Sequence, residues 1–196
     1  RRQMEAQVEN QPVPEGEGFL CREQLLAPLQ RIDRSLRDVG LGDIADGDLK
    51  NTLRRLNCFG ITLLRLDIRQ ESTRHRDAVD AVTRYLELGS YADWPEARKQ
   101  AFLVEELQAR RPLIDDSFHA SEACSDEVAE VLATCRVIAE QGSEGLGAYV
   151  ISMARAPSDV LAVMLLQKIA GVSEPMRVVP LFETLDDLDN AEDTMS

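Results

Sequence analysis

Arg69, Gln70, Glu71, Arg74 and His75 crowd the end of a largely apolar run, "ITLLRLDIRQESTRH" at residues 61–75. Guanidinium groups can grip an oxyanion through two parallel hydrogen bonds, and an imidazole can pass a proton near neutral pH. Two more clusters are placed alike: Arg155, Ser158 and Asp159 after "AYVISMA" (148–154), and Glu183, Asp186 and Asp187 at the end of and after "MRVVPLFE" (176–183). Glu183 offers the hard oxygen donor that Mg²⁺ or Mn²⁺ prefers. Converging on one mouth, these groups would hold a phosphate, a carboxylate and a divalent cation together. Plainer roles compete with that one. A lone charge at a strand end caps or pairs at the surface. Asp159, Asp186, Asp187 and Asp189 suit the positive ends of helices, and His75, beyond the strand, is read as structural.

The elements that must position these groups follow from periodicity. Strands are expected at 61–69, 148–154 and 176–183, each leading through a polar loop into a helix. Helices are expected over about 73–88, from Trp94-Pro95 through Leu107, over 125–140 with Val128, Val131, Leu132, Cys135 and Ile138 inward, and from Pro157 to a stop at Gly171. Tyr91, Trp94 and Phe102 read as a packing cluster between helices. Near-continuous apolar strands separated by helices imply a parallel sheet buried on both faces. Periodicity leaves a doubly wound sheet and part of a β/α barrel open, and both put functional groups at the carboxyl ends of strands. Upstream, "PVPEGEG" (12–18) reads as a linker. A helix with Leu25, Leu29, Ile32 and Leu36 follows it, interrupted by Pro28 and stopped by Gly40, and another spans about 48–57. The division expected is a helical segment at 1–58 and a β/α segment at 59–196.

With 196 residues, 44% of them hydrophobic, the chain can bury one sizeable core or part of a larger one. A formal charge of −13 argues against nucleic acid or an anionic membrane as partner, so an anionic ligand needs a local basic pocket. Cys21, Cys58, Cys124 and Cys135 form no CxxC pair and read as reduced cytoplasmic thiols; with two histidines a structural zinc site is not expected. The expected location is the cytoplasm. No apolar run reaches a membrane span, and both ends read as cuts through a longer chain.

The blocks "LDIRQESTRH", "YLELGSYADWPEARKQAFLVEEL", "RRPL", "YVISMARAPSDVLAVMLLQKIAG" and "VVPLFETLDDLDNA" stand in the order found in phosphoenolpyruvate carboxylases. From about residue 57 to 193 the chain resembles that family, while the first fifty residues match loosely. The resemblance implies a mostly helical α/β protein built on a β/α barrel, of which this segment is a part with about three parallel strands. It also implies a homotetrameric carboxy-lyase that joins bicarbonate to phosphoenolpyruvate, giving oxaloacetate and phosphate with Mg²⁺ or Mn²⁺. By motif, Arg69 in "DIRQES" matches the catalytic, substrate-binding arginine at the phosphate site, and Glu183 in "PLFETL" matches a metal ligand. Arg74, Arg111 and Asp159 fall in matching blocks without an assigned role. The family's catalytic histidine, a second metal carboxylate with a lysine, and a "GRGG" loop have no counterpart here. The isolated chain is therefore expected to be inactive. The alternative reading is a non-catalytic helical scaffold or interaction domain derived from that family.

Overall fold

A computed structural model describes residues 21–62, 64–141, 145–189 and 191–192. They fall into two compact units, one through Leu64 and one from Arg65 onward. The expected linker at 12–18 lies outside the described residues.

In the first unit, helix α1 spans Arg22–Asp38 and α2 spans Lys50–Phe59, joined by a helical turn at Gly42–Ile44 and a wider one at Ala45–Leu49. Leu25, Leu29 and Leu36 are half-buried at helical spacing, while Ile32 is 50% exposed. Pro28 does not break α1, which runs through it. Proline there lacks an N–H for the carbonyl of Gln24, and the rest of the ladder carries the helix. Gly40, at φ +79°, provides the expected stop because glycine takes the left-handed region without steric penalty. Arg37 pairs with Asp33 within α1 at 3.1 Å and joins the wider turn to that helix through Asp46 at 2.7 Å.

The second unit is a three-stranded parallel sheet with helices. Its strands are β1 (Leu66–Glu71), β2 (Leu146–Ser152) and β3 (Arg177–Pro180), in the order β1-β2-β3. Helix α3 (Ser72–Tyr85) follows β1; α4 (Glu96–Gln108), α5 (Asp116–His119) and α6 (Asp126–Gln141) complete the crossover to β2. Helix α7 (Pro157–Ile169) joins β2 to β3, and α8 (Leu185–Asp189) follows β3. The parallel strands are as expected, but β1 begins at Leu66 instead of residue 61. Its pairing starts at Leu66 opposite Leu146, and the residues before it have no strand partner among the described residues. Pro180 ends β3, although the Leu181 N–H still reaches the Ile151 carbonyl at 2.9 Å.

The sheet is not buried on both faces along its whole width, as the apolar runs suggested. Only β2 has four consecutive buried residues, Ala148 through Ile151; β1 alternates exposed and half-buried positions. The central strand has a neighbour on each side, whereas among the described residues β1 and β3 are each flanked on one side only. Register puts Ile68, Gln70, Tyr149, Ile151 and Val178 on one face. The apolar members of that set pack with Ile138, Ala154, Val163 and Met176 from the helices and loops. Arg69, Glu71, Val150, Ser152 and Val179 point the other way.

A larger core lies among the helices. The stripe Val128, Val131, Leu132 and Cys135 of α6 meets Leu165 and Leu166 of α7 and Val79 and Val82 of α3. The aromatic cluster forms as expected, Tyr91, Trp94 and Phe102 standing 5.3–6.5 Å apart between ring centroids. The Arg98 guanidinium lies 4.0 Å above the Trp94 ring. Helix α4 starts one residue after Pro95, which takes the cap position at φ −65° and ψ 151°. Its far end is closed by Lys168, whose ammonium donates to the carbonyls of Glu106 at 2.6 Å, Leu107 at 2.9 Å and also Ala109. A cation there satisfies orphan carbonyls and meets the negative end of the helix dipole.

Candidate functional site at the carboxyl ends of the strands

Because the strands are parallel and adjacent, the three polar clusters named from the sequence lie at one edge of the sheet. Arg69 is an exposed residue of β1, opposite Val150 in register, and its side chain has no partner among the described residues. Glu183 lies three residues past β3, also exposed, with a carboxylate that is likewise unpartnered among the described residues. Its backbone N–H and that of Thr184 donate to Asp187 Oδ2 at 3.1 and 2.9 Å. The Thr184 hydroxyl in turn accepts from the Asp187 N–H at 3.1 Å, so the two close a capping box at the start of α8, and the Thr184 and Glu183 N–H groups hold the Asp187 carboxyl below the usual carboxylate range. Asp159, in the first turn of α7, accepts from the N–H groups of Arg155 at 2.8 Å and Ala156 at 3.2 Å ahead of that helix.

Other sequence candidates are spent on structure. Arg74 points away from the strand end to Glu130 of α6 at 2.6 Å, and Arg111 pairs with the buried Glu106 at 2.6 Å. His75 is fully buried. Its Nε2 lies 3.0 Å from both Gln70 Oε1 and the Tyr149 hydroxyl, and that hydroxyl donates to Gln70 Oε1 at 2.8 Å. Burial, with the Arg74 charge adding to it, lowers the imidazole pKa to about 4, so the ring is neutral at pH 7.

Between the ends of β1 and β2 opens a cleft of about 320 Å³. Arg76 and Lys99 face Arg155 there, with Glu71, Glu96 and Asp159 as counter-charges. Three cations against three carboxylates give it no formal bias toward an anion. Glu96 holds the start of α7, accepting from Ser158 N at 3.0 Å and from Ser158 Oγ at 2.7 Å. Met153, at φ +57°, turns the chain out of β2, and its carbonyl accepts from Ser72 Oγ at 2.8 Å. A non-glycine residue in the left-handed region is uncommon and persists where the surroundings fix it. Neither Arg69 nor Glu183 lines this cleft.

Sequence reasoning named Gln70 in the strand-end cluster but missed Tyr149, Glu96 and Lys99. A hydroxyl within the apolar strand "AYVIS" was a signal for Tyr149, since a buried tyrosine needs a partner for its O–H. Glu96 and Lys99, in the first turn of α4, carried none: only the fold brings that turn beside Ser158.

The architecture and its strand-end groups define an α/β protein with an exposed arginine and an exposed carboxylate, both without a side-chain partner among the described residues, at one sheet edge. The family model described as Phosphoenolpyruvate carboxylase matches residues 1–196. The chain belongs to that family. It is 81% identical over 196 residues to the phosphoenolpyruvate carboxylase of Alcanivorax borkumensis, and 53% and 52% identical over 194 residues to those of Escherichia fergusonii and Salmonella arizonae. It spans 22% of the length of each relative while 98–100% of the chain is matched, so it corresponds to an internal segment of them. Among the described residues no helix is long and apolar enough to cross a membrane.

Proposed function

We propose that the chain is the part of a phosphoenolpyruvate carboxylase that supplies one substrate-gripping arginine and one metal ligand to the site joining bicarbonate to phosphoenolpyruvate. The observation that carries this reading is the placement of Arg69 and Glu183. Both lie toward the carboxyl ends of parallel strands, in "DIRQES" and "PLFETL", with side chains unspent on other residues described. Arg69, on the sheet face away from the helices, holds the phosphoryl oxygens in two parallel hydrogen bonds and neutralises charge as that group moves to bicarbonate. Oxaloacetate and phosphate are the products. The full protein on this reading is a cytoplasmic homotetramer whose sheet continues into a closed β/α barrel, the outer edges of β1 and β3, unpaired among the described residues, being where further strands would join.

Glu183 is the right kind of donor for Mg²⁺ or Mn²⁺. No group of three or more His, Cys, Asp or Glu able to hold a metal forms among the described residues, so this segment supplies one ligand and the others come from elsewhere in the longer protein. When bound, the cation stabilises negative charge developing on substrate oxygen.

Oxaloacetate formation followed through malate dehydrogenase tests the reading. In a full-length enzyme carrying this segment, Arg69→Ala should lower turnover about 100-fold, the usual cost of losing one preorganised charge contact. Glu183→Gln should raise the Mg²⁺ concentration needed for half-maximal rate. The isolated chain of 196 residues should form no oxaloacetate, because it holds an incomplete ligand set. Near-normal rates from both point variants would refute the residue roles, and turnover by the isolated chain would refute the partial site.

A further inference from the structure

The trio of buried His75 and Tyr149 with half-buried Gln70, on the helix side of the sheet, is unused by the reaction as described, yet it sits directly behind Arg69. Side chains alternate along a strand, so Arg69 faces away from the helices while the next residue, Gln70, faces into them. Gln70 Oε1 takes the Tyr149 hydroxyl proton at 2.8 Å and stands 3.0 Å from His75 Nε2. An amide oxygen only accepts, so His75 Nε2 must carry its hydrogen and donate it. That fixes the tautomer and leaves Nδ1 as the bare nitrogen, which is the one buried side-chain polar atom with no partner among those described. A second proton would put an N–H where nothing accepts it, so the ring is held in one protonation state.

The trio spans β1 through Gln70, β2 through Tyr149 and α3 through His75. The Tyr149 and His75 rings meet edge to face with centroids 5.4 Å apart. Both rings are fully buried, which makes these hydrogen bonds costly to break and pins the Gln70 side chain. Pinning Gln70 fixes the backbone of the residue before it, at the outer strand of the sheet, where Arg69 has no side-chain contact of its own to hold it.

We infer that His75, Tyr149 and Gln70 form a positioning lock that aims Arg69 at its oxyanion. None of the three touches the substrate. The inference rests on Arg69 gripping the substrate phosphate, as proposed above. A misplacement of about 1 Å in such a contact can cost up to roughly 100-fold.

The test is a double-mutant cycle in a full-length carboxylase carrying this segment, with phosphoenolpyruvate as the varied substrate. Tyr149→Phe and His75→Leu should each lower kcat/KM by about 10-fold or more. His75→Gln, which keeps a donor near the Nε2 position, should recover most of the loss. In an Arg69→Ala background the same substitutions should cost less than 2-fold, because the group they aim is gone. Melting temperature, read in parallel, should fall equally in both backgrounds. Equal losses of kcat/KM with and without Arg69 would overturn the lock and leave a merely structural trio. A parent with no carboxylase activity, or one unaffected by Arg69→Ala, would instead overturn the reading on which the inference rests.

Discussion

His75 ties the stability of the second unit to pH. Exposed, an imidazole titrates near 6.5; in the fold, burial lowers its pKa to about 4. Between those values the unfolded chain binds a proton that the folded chain refuses, so stability falls as pH drops from about 6.5 to about 4 and levels off below. A shift of that size corresponds to roughly 3 kcal/mol. Urea unfolding at pH 7 and at pH 4.5 should show the loss in the native chain and a smaller loss in His75→Gln, which carries no titrating group at that site. Identical pH slopes would show that the carboxylates alone set the acid sensitivity. Cys135 illustrates the same desolvation from the acid side: buried among apolar neighbours, its thiol is pushed up to about 12 and stays inert.

At the scale of elements, the β1–β2 pairing depends on a close approach. Asp67 Oδ1 accepts from the Ala148 N–H at 2.9 Å, just where the β1–β2 register shifts between Leu66 and Ile68. A Cβ on Gly147 would lie 2.3 Å from that oxygen. Gly147→Ala should therefore displace the Asp67 carboxylate and cost about 1–2 kcal/mol, the value of a lost hydrogen bond with some strain. Thermal unfolding of Gly147→Ala in an Asp67→Ala background should show a much smaller effect, since the obstructing group is gone. Additive losses would mean that Gly147 matters for another reason. The helices flanking this pairing were legible in the sequence: the α6 stripe from Val128 to Ile138 is buried residue for residue, because 3.6-residue periodicity is a local property. The start of β1 was not, because a strand extends only as far as a neighbouring strand pairs with it.

The sheet as a whole is open at both sides among the described residues. Leu66 on β1 is 61% exposed, and Leu185 and Leu188 of α8 are 80% and 59% exposed, while β1 and β3 each keep one edge unpaired among the described residues. Open edges beside apolar side chains are templates for association. The isolated chain should sediment as more than a monomer and bind an apolar-surface dye. A strictly monomeric species with no dye binding would show that its own terminal residues cover these surfaces.

By itself the sequence determined the helices and the inward stripe of α6, the stops at Gly40 and Gly171, the parallel strands and, through motif resemblance, the family. These rest on local periodicity, on backbone preferences and on side-chain patterns in unbroken stretches. Only the tertiary structure decided that Arg74 turns to Glu130, that Asp159 and Asp187 are spent on helix caps, and that Gln70 meets Tyr149 and His75. The partners of Arg74 and Gln70 stand 56 and 79 residues away along the chain. Such pairs are set by which strand lies beside which strand and which helix beside which helix, and no spacing within "DIRQESTRH" encodes that.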